Sequence, residues 1–541
     1  MKKIILIMAI AAVGLGACEK RPQPLTIDNA LTDAEIAAGV LTPEVMWKMS
    51  RAGGATLSPD GRTLLYQQTD YSMAENRGVT TLHTEALDTK QVADLTDGSS
   101  NNLAARWSAD GQRIYFLSDR SGSMQVWAMD ASGGNVRQLS DFDRDVEGFG
   151  ISPRGDKAWY VQRIPVAARR SCEIHKGMDK SEGRIYEGLM VRHWDYWDGG
   201  EHMHLFVGDF GPEGLKEGVD IVGADAAWDV PLAPYFDMAE IAWNHAGTML
   251  AYTCKPLTGT AYAVSTDSDI FVYDVASGKT QNICKPTNFN TGEKIEALSD
   301  NLPGYDKYPV WSPDDRKIAF LSQRRAGNES DKSRLFLYDC ATAEMCDLTE
   351  DFDYNAMNVV WEGNDRIWFI APIEATHQIC RVETVDGEVE VVTRGDHDIT
   401  AFTMASDVIV AELSTISTDT EFYTVDPSDG TLTQISGINR AIYDHIRMGE
   451  VQKRWVETTD GKQMLTWVIL PPDFDPAKKY PTLLYCQGGP QSVVSNGWSY
   501  RWNSQLMAAQ GYIAVAPTRR RPPSFGQAAP AQTPAPHPAQ P

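Results

Sequence analysis

The stretch that decides the fold is "WSADGQRIYFLSDRSGSMQVWAMDASGGNVRQLSD", residues 107–141. A similar stretch, "WSPDDRKIAFLSQRRAGNESDKSRLFLYDCATAEMCDLTED", occupies residues 311–351. In both, a tryptophan precedes a turn, an alternating strand, a loop, a second strand, and a short closing strand after a tight turn. Asp-Gly accepts positive φ at low cost, which suits the first turn. The alternation in "RIYFLS" and "KIAFLS" predicts strands packed between layers.

Weaker copies of this pattern begin at Leu57, Ile151, Trp243, Trp361 and Met404. Most copies are spaced by roughly 45–50 residues, the length of a four-stranded propeller blade. Together they predict a mainly β chain with a β-propeller of about seven blades over residues 55–440. A repetitive β-sandwich is the alternative.

Length and charge limit the possible functions. The chain has 541 residues, enough for two or three domains, and a net charge of −24. Phosphate binding needs a basic surface, so nucleic acid is excluded as a partner. We expect no cofactor.

The N-terminus reads "MKKIILIMAIAAVGLGACEK". Its apolar run is too short to span a bilayer as a mature helix, although a bare transmembrane helix is the alternative. The end of the run, "LGAC", resembles the lipobox of bacterial lipoproteins. That resemblance implies a signal peptide at residues 1–17 and a lipid on Cys18. The mature protein, beginning with a segment at 18–54, would be membrane-anchored in the cell envelope, on the periplasmic side or at the outer membrane.

Of the other seven cysteines, Cys340 and Cys346 flank a short turn. They either bridge a hairpin as a disulfide or remain two separate thiols.

The longest interruption of the repeat contains "SCEIHKGMDKSEGRIYEGLMVRHWDYWDGGEHMHLFVGDF", residues 171–210. His202 and His204 are spaced to share one face of a strand, with Asp195 and Asp198 nearby, which is one way to build a metal site. No ligand set here has closed spacing, so packing or substrate contact is favoured and we expect no metal.

The pattern changes in the last hundred residues. "QMLTWVILPP", "YPTLLYCQGGP" and "YIAVAP" are predicted strands, and "WNSQLMAAQG" is a predicted helix ended by Gly511. Strand, helix and strand with short connections are typical of an α/β sheet.

A propeller followed by "PPDFDPAKKYP", a strand ending in Gly-Gly-Pro, and "GYIAVAP" with "RR" after it resembles the prolyl oligopeptidase family of serine peptidases. The segment "LMVRHWDYWDGGEHMHLFV" is most similar to the dipeptidyl-peptidase 5 branch, which is acylaminoacyl-peptidase-like. The resemblance implies an α/β-hydrolase beginning at 441–527. It also implies an exopeptidase that removes dipeptides or other short units from peptide N-termini through a Ser-His-Asp triad.

The same resemblance implies an oxyanion site. The Gly489 N–H is the candidate oxyanion donor, with Gln487 as a possible second donor. In the competing hypothesis, a propeller that holds peptides without cutting them, Arg192 in the insertion would meet a peptide carbonyl or carboxylate, and Glu173, Glu187 and Glu201 a free N-terminus. The alternative for each is a solvated surface charge.

The hydrolase domain is predicted to be incomplete in this chain. No Gly-x-Ser-x-Gly elbow is present, and residues 528–541 form a tail of Ala, Pro, Gln, Thr and His. We therefore expect a truncated copy that is inactive as given, with a proline-rich linker as the alternative reading of the tail. The competing hypothesis is a non-catalytic propeller that binds peptides or proteins. The residues after about Lys453 should be labile, because their strands have an open edge.

Overall fold

The computed structural model describes residues 24–285, 302–488 and 493–518. Several predictions lie outside these residues: the signal peptide, the lipidation at Cys18, the oxyanion donor Gly489, and the tail at 528–541. No helix in the described part of the chain is long and apolar enough to cross a lipid bilayer.

The described residues form seven successive antiparallel blades, whose strand bounds follow in chain order. The strands of blade 1 are Arg51–Leu57, Thr63–Ser72, Arg77–Ala86 and Val92–Asp94, and those of blade 2 are Asn102–Trp107, Arg113–Ser118, Gln125–Asp130 and Arg137–Gln138. The strands of blade 3 are Gly148–Ile151, Lys157–Pro165, Glu201–Gly211, Gly214–Leu215 and Val219–Asp220. The strands of blade 4 are Ile241–Trp243, Met249–Cys254, Asp269–Asp274 and Lys279–Asn282. The strands of blade 5 are Asp306–Trp311, Lys317–Ser322, Arg334–Asp339 and Met345–Asp347. The strands of blade 6 are Met357–Glu362, Arg366–Ile373, Thr376–Glu383 and Val389–Val391. The strands of blade 7 are Asp398–Ala405, Val408–Thr415, Thr418–Val425 and Leu432–Gln434. The predicted propeller and its blade number are confirmed.

The repeated serine and aspartate explain why each copy turns after its first strand. The Ser108 hydroxyl donates to the Asp110 carboxylate at 2.6 Å and accepts from the Arg113 N–H at 2.9 Å. Ser312 and Asp314 repeat the arrangement in blade 5 at 2.7 Å. The turn therefore carries its own hydrogen bonds, as expected of an Asx- and Ser-rich loop.

Apolar clusters between neighbouring blades close the ring. Each of seven clusters in the described residues joins one blade to the next. The last joins Leu64 and Tyr66 of blade 1 to Val410 and Phe422 of blade 7. Burying both faces of every blade in this way is the main stabilising term of the propeller.

A second sheet follows the propeller. In spatial order its strands are Val451–Glu457, Gln463–Ile469, Ile513–Pro517 and Thr482–Leu484, and the last two are parallel. Helix Ser504–Ala509 connects them and is followed by Gly511 at φ +87°, as predicted. The start of an α/β sheet predicted for this region is present, while the domain boundaries themselves remain predictions.

The N-terminal segment packs beside this sheet. Leu41, Val45 and Met46 form one apolar cluster with Ile442 and Ile446, and Trp498 and Leu506 pack against it. The helices, including one 3₁₀ helix at Met238–Glu240, are Asp33–Ala38, Pro43–Trp47, Ser171–Ile174, Met238–Glu240, Gly259–Val264, Arg440–Tyr443 and Ser504–Ala509. Residues before blade 1 and residues after blade 7 therefore pack together beside the second sheet.

Candidate functional site

The insertion predicted from the sequence leaves blade 3 between its second and third strands, at residues 166–200. Its base is closed where the N–H groups of Val166 and Ala167 donate to the Gly200 carbonyl at 2.9 and 3.0 Å. Gly200 has φ +78°, and a Cβ there would collide with the Ala167 carbonyl oxygen. Only glycine fits this crossing, because it combines the left-handed region with the close backbone approach.

Within the insertion, Arg192–His193 pairs with Tyr196–Trp197 as a short hairpin that sets Arg192 opposite Trp197. Asp198 holds the hairpin to the base of the insertion. Its carboxylate accepts from the Arg169 Nε at 3.1 Å and from the Gly200 N–H at 2.8 Å.

The hairpin covers a cavity of about 750 Å³. One wall is the blade 3 insertion, and the opposite wall is residues 257–259 and Tyr262 of the loop that precedes the third strand of blade 4. The lining mixes aromatic rings with arginines and carboxylates. This volume and mixture are typical of pockets that hold small organic ligands.

The cavity opens on the face of the propeller that carries the second sheet. Ala375 and Ile416, in the turns after the second strands of blades 6 and 7, pack into the core of that sheet. The Asn496 side chain accepts from the Ile416 N–H at 2.9 Å, and Lys453 pairs with Asp396 at 3.0 Å. The insertion and the blade 4 loop occupy the equivalent position in blades 3 and 4, and equivalent turns of a propeller lie on one face.

Most charges around the cavity are already paired. Arg163 binds Glu147 at 2.9 Å, and the Asp229 carboxylate accepts from the Met203 N–H at 2.8 Å and contacts His202 at 3.2 Å. In the described part of the chain, the side chains of Arg192 and Glu201 make no hydrogen bond or ion pair, and both line the cavity. A positive and a negative group are therefore free to bind a ligand.

The structure places the other predicted ligand-binding residues differently. Glu173 lines the cavity, but its carboxylate accepts from the N–H groups of Arg169 and Arg170 at 3.3 and 3.1 Å. Glu187 is not among the residues that line this cavity. Their roles in binding remain predictions, with Arg192 and Glu201 the better placed pair.

The two histidines considered for a metal are bonded within the protein. His204 is fully buried and contacts the Asp220 carboxylate at 2.8 Å and the Ala226 carbonyl at 3.0 Å. Burial lowers the pKa of His204, but the Asp220 carboxylate more than offsets this and holds it above its ordinary value. Asp195 makes no hydrogen bond or ion pair with either histidine, and Asp198 pairs with Arg169. The packing interpretation, with no metal at these residues, remains a prediction.

Sequence reasoning missed the aromatic residues from outside the insertion. Tyr262 comes from blade 4, and the exposed ring of Tyr235 lies 5.7 Å from that of Trp194. The one signal in the sequence is the extra length between the second and third strands of blade 4. No motif in that loop indicates that it meets the blade 3 insertion.

The oxyanion and cysteine predictions are only partly covered by the described residues. Gln487 follows strand Thr482–Leu484, at the edge where the predicted Gly-Gly-Pro turn begins.

All seven described cysteines are free thiols. Cys346 faces Leu337 across the blade 5 hairpin rather than Cys340, so the register keeps the two thiols separate.

Comparison with known proteins agrees with this architecture. Residues 42–179 match the family model described as a TolB beta propeller domain. The chain is 37% identical over 528 residues to dipeptidyl-peptidase 5 of Porphyromonas gingivalis, covering 97% of this chain and 73% of that protein. It is 33% identical to dipeptidyl-peptidase 5 of Porphyromonas endodontalis, covering 93% of this chain and 70% of that protein.

Among solved structures, the acylaminoacyl peptidase of Pyrococcus horikoshii superimposes with a TM-score of 0.68 at 17% identity. The match covers 90% of this chain and 68% of that one. At this identity the likeness establishes the fold alone.

Proposed function

Because this chain belongs to the dipeptidyl-peptidase 5 branch of the prolyl oligopeptidase family of serine peptidases, we propose that its propeller holds the N-terminal end of short peptides for a hydrolase site on the same face. In the proposed complex Glu201 binds the peptide's free ammonium group. Arg192 binds a carbonyl or carboxylate further along the peptide, and the aromatic lining accepts side chains. The substrate class is peptides with an unblocked N-terminus, from which dipeptides or other short units are removed.

The observation that carries the proposal is the position of the cavity. It lies on the sheet-bearing face, and unpaired groups of both charges, among them Arg192 and Glu201, line it. A peptide N-terminus presents a cation close to carbonyl acceptors and N–H donors, so a carboxylate and a guanidinium that line the same cavity match it.

Cleavage needs groups that these 541 residues do not contain in recognisable form. No Gly-x-Ser-x-Gly elbow occurs among them. We therefore propose that the 541-residue chain binds peptides and does not cleave them, and that the Gly489 N–H and Gln487 would serve as oxyanion donors once a nucleophile is present. Release of a fluorescent amine from dipeptidyl-aminomethylcoumarin substrates by the purified chain would refute this part.

Binding is tested with a fluorescein-labelled tetrapeptide, compared with its N-acetylated form by anisotropy. Arg192→Ala should weaken binding of the free peptide by about tenfold, the usual value of a charge-assisted hydrogen bond. Glu201→Gln should weaken the free peptide by a similar factor and leave the acetylated peptide unchanged. Equal losses for both peptides would remove Glu201 from the proposed role.

The matched control is Arg316→Ala. Its side chain is 82% exposed and lies in the turn after the first strand of blade 5, on the opposite face of the propeller. The Arg316→Ala variant should bind the peptide as tightly as the unaltered chain does. A loss equal to that of Arg192→Ala would indicate a general charge effect.

The second candidate is a propeller that binds proteins without a catalytic role. The exposed rings of Trp194, Trp197 and Tyr235 favour it, since their exposed fractions are 60%, 53% and 73%. Exposed aromatic clusters of this kind are typical of contact surfaces. Discrimination between free and acetylated peptides would favour the first candidate.

We also propose that the protein is anchored in the cell envelope through a lipid on Cys18. The support is the lipobox-like end of the apolar N-terminal run. Metabolic labelling with a palmitate analogue should mark the full-length protein and fail to mark Cys18→Ser. Equal labelling of both would contradict the anchor.

A further inference from the structure

A second polar cluster lies at the junction of blades 4 and 5, away from the cavity. Asp269 begins the third strand of blade 4, Cys284 follows its last strand, and Asp306 begins the first strand of blade 5. One carboxylate oxygen from each aspartate and the Cys284 sulfur all lie within 4.8 Å of one another. The exposed fractions of the three residues are 3%, 1% and 0%.

Backbone contacts between the two blades hold these side chains together. The Asp306 N–H donates to the Ser268 carbonyl at 3.1 Å, so the starts of the two strands are joined directly. The Ile270 N–H points at the Cys284 sulfur at 3.3 Å. The cluster is therefore set by the register of the sheets rather than by long flexible side chains.

Asp306 is weakly compensated for a buried carboxylate. The Ser322 hydroxyl and the Cys284 thiol lie close to it, but in the described part of the chain no donor meets the full geometry of a hydrogen bond on either of its oxygens. The Ser322 hydroxyl, in the residue paired with Asp306 across the sheet, also has no aligned partner. A buried polar group without compensation costs free energy. A bound ion that accepts several ligands would offset that cost at this site.

Asp269 is oriented from outside the cluster. Its carboxylate accepts from the Asn282 amide at 2.8 Å and pairs with the Lys285 ammonium at 2.9 Å. Lys285 also binds the more exposed Asp267 at 2.6 Å. Such outer contacts are typical of carboxylates that coordinate a metal ion.

We propose that Asp269, Cys284 and Asp306 form a structural site for a thiophilic divalent cation such as Zn²⁺. One thiolate and two carboxylates are ligand types that Zn²⁺ accepts, at about 2.3 Å for sulfur and about 2.0–2.2 Å for oxygen. The Ser322 hydroxyl is placed to approach the fourth position. The two positive charges of the ion and the one of Lys285 offset the three anionic ligands. The Asp267 carboxylate, which shares Lys285, leaves one negative charge at the more exposed edge of the site.

The bound ion would connect blade 4 to blade 5 and stabilise the ring at that junction. This role is independent of peptide binding, because none of the three residues lines the cavity. Loss of the ion would lower stability and leave the selectivity between free and acetylated peptides unchanged.

The probe is Co²⁺, supplied during expression because the site is buried, followed by extensive dialysis. The unaltered chain should retain one cobalt ion and show a thiolate-to-cobalt charge-transfer band in the near ultraviolet. Cys284→Ser should lose the band, and Asp306→Asn should lose most of the bound cobalt. Cys380→Ser is the matched control, since Cys380 is also fully buried but lies in blade 6.

The unaltered chain decides the question even if a variant fails to fold. A folded chain that retains no cobalt, or retains it without a thiolate band, overturns the proposal. A band that persists in Cys284→Ser also overturns it, because another cysteine would then be the ligand. Removal of the metal from the unaltered chain by a chelator should lower its melting temperature, and an unchanged melting temperature would refute a structural role.

Discussion

Trp368 and Trp467 are the two largest fully buried side chains in the described part of the chain, and they lie in different surroundings. Trp368 packs between blades 6 and 7, where both sheets have further neighbours around the ring. Trp467 packs in the second sheet, against helix Ser504–Ala509 and the turns of blades 6 and 7. Each indole N–H has a partner, Glu362 at 2.8 Å and the Val494 carbonyl at 3.0 Å.

Equal burial therefore does not mean equal cooperativity. A blade is covered on both faces by its neighbours, and the contacts between blades 7 and 1 close the ring. In the described residues the second sheet ends at strand Thr482–Leu484, which pairs on one side only and leaves Leu484 59% exposed. A destabilising substitution in a blade therefore lowers the stability of the whole ring, while one in the second sheet can unfold that sheet alone.

The largest expected effect comes from truncating the two tryptophans. Trp368→Ala and Trp467→Ala should each cost about 3–5 kcal/mol, the usual range for a large aromatic residue removed from a core. Trp368→Ala should lower the main thermal transition. Trp467→Ala should leave that transition in place and expose the chain after Lys453 to protease. If both variants lowered the main transition equally, the two regions would form one cooperative unit.

Glu240 should make the stability of the propeller depend on pH. It is 2% exposed beside blade 4, accepts from the Leu232 N–H at 2.8 Å, and has Lys307 at 3.5 Å. Burial raises the pKa of Glu240 to about 7 despite the lysine, while an unfolded glutamate titrates at about 4.3. Between these values the folded chain binds more protons, so Glu240 makes stability fall as pH rises, by about 4 kcal/mol in all.

Glu240→Gln cannot ionise and should lose this dependence. The free energy of unfolding of the variant relative to the unaltered chain should therefore increase from pH 5 to pH 8, measured by denaturant titration. Glu388→Gln, at an exposed position in blade 6, is the control and should show the same difference at both pH values. A constant difference for Glu240→Gln would show that the folded carboxyl titrates normally.

A smaller effect is expected where the two regions meet. The Tyr500 hydroxyl donates to the Asp419 carboxylate of blade 7, and the Arg51 guanidinium of blade 1 lies 3.8 Å from the Tyr500 ring centroid. Tyr500→Phe keeps the ring but leaves Asp419 without this donor, at a cost of about 1–3 kcal/mol.

Because this contact holds the second sheet on the ring, cleavage after Lys453 should become roughly fivefold faster or more in Tyr500→Phe. Tyr512→Phe, whose side chain is 38% exposed, is the matched control and should be cleaved at the original rate. The broader prediction, that residues after about Lys453 are labile, fails if protease digests them no faster than the propeller.

The smallest effect is expected at the sheet edge. Leu484→Lys should change the free energy of unfolding by less than about 0.5 kcal/mol, because the side chain is largely exposed. It should reduce light scattering on storage, since a charge on an edge strand discourages strand pairing between molecules. A loss of several kcal/mol would mean that another part of the chain covers this edge.

The parts of the fold that sequence predicts best are those with local causes. "RIYFLS" is strand Arg113–Ser118, because alternating side chains on either face suit only an extended chain. Gly511 follows the predicted helix at φ +87°, where glycine has no steric penalty. Arg192 and Glu201 were identified because an unusual insertion interrupts a regular repeat.

Other features have no local cause. Tyr262 reaches the cavity because blades 3 and 4 are neighbours, and nothing in its own segment indicates that contact. Leu41 lies 401 residues before Ile442, yet the two share a core. Asp269 and Asp306 meet through the register of two different sheets.

By itself, the sequence determined the repeat, the number of blades and the start of an α/β sheet, because turn chemistry and hydrophobic alternation act over a few neighbouring residues. The family came from the resemblance of particular motifs to those of known peptidases. The tertiary structure decided which loops share a face, which charges are left unpaired and which buried side chains meet. Those outcomes depend on closing a ring of seven sheets, and closure brings together residues that have no pattern in common along the chain.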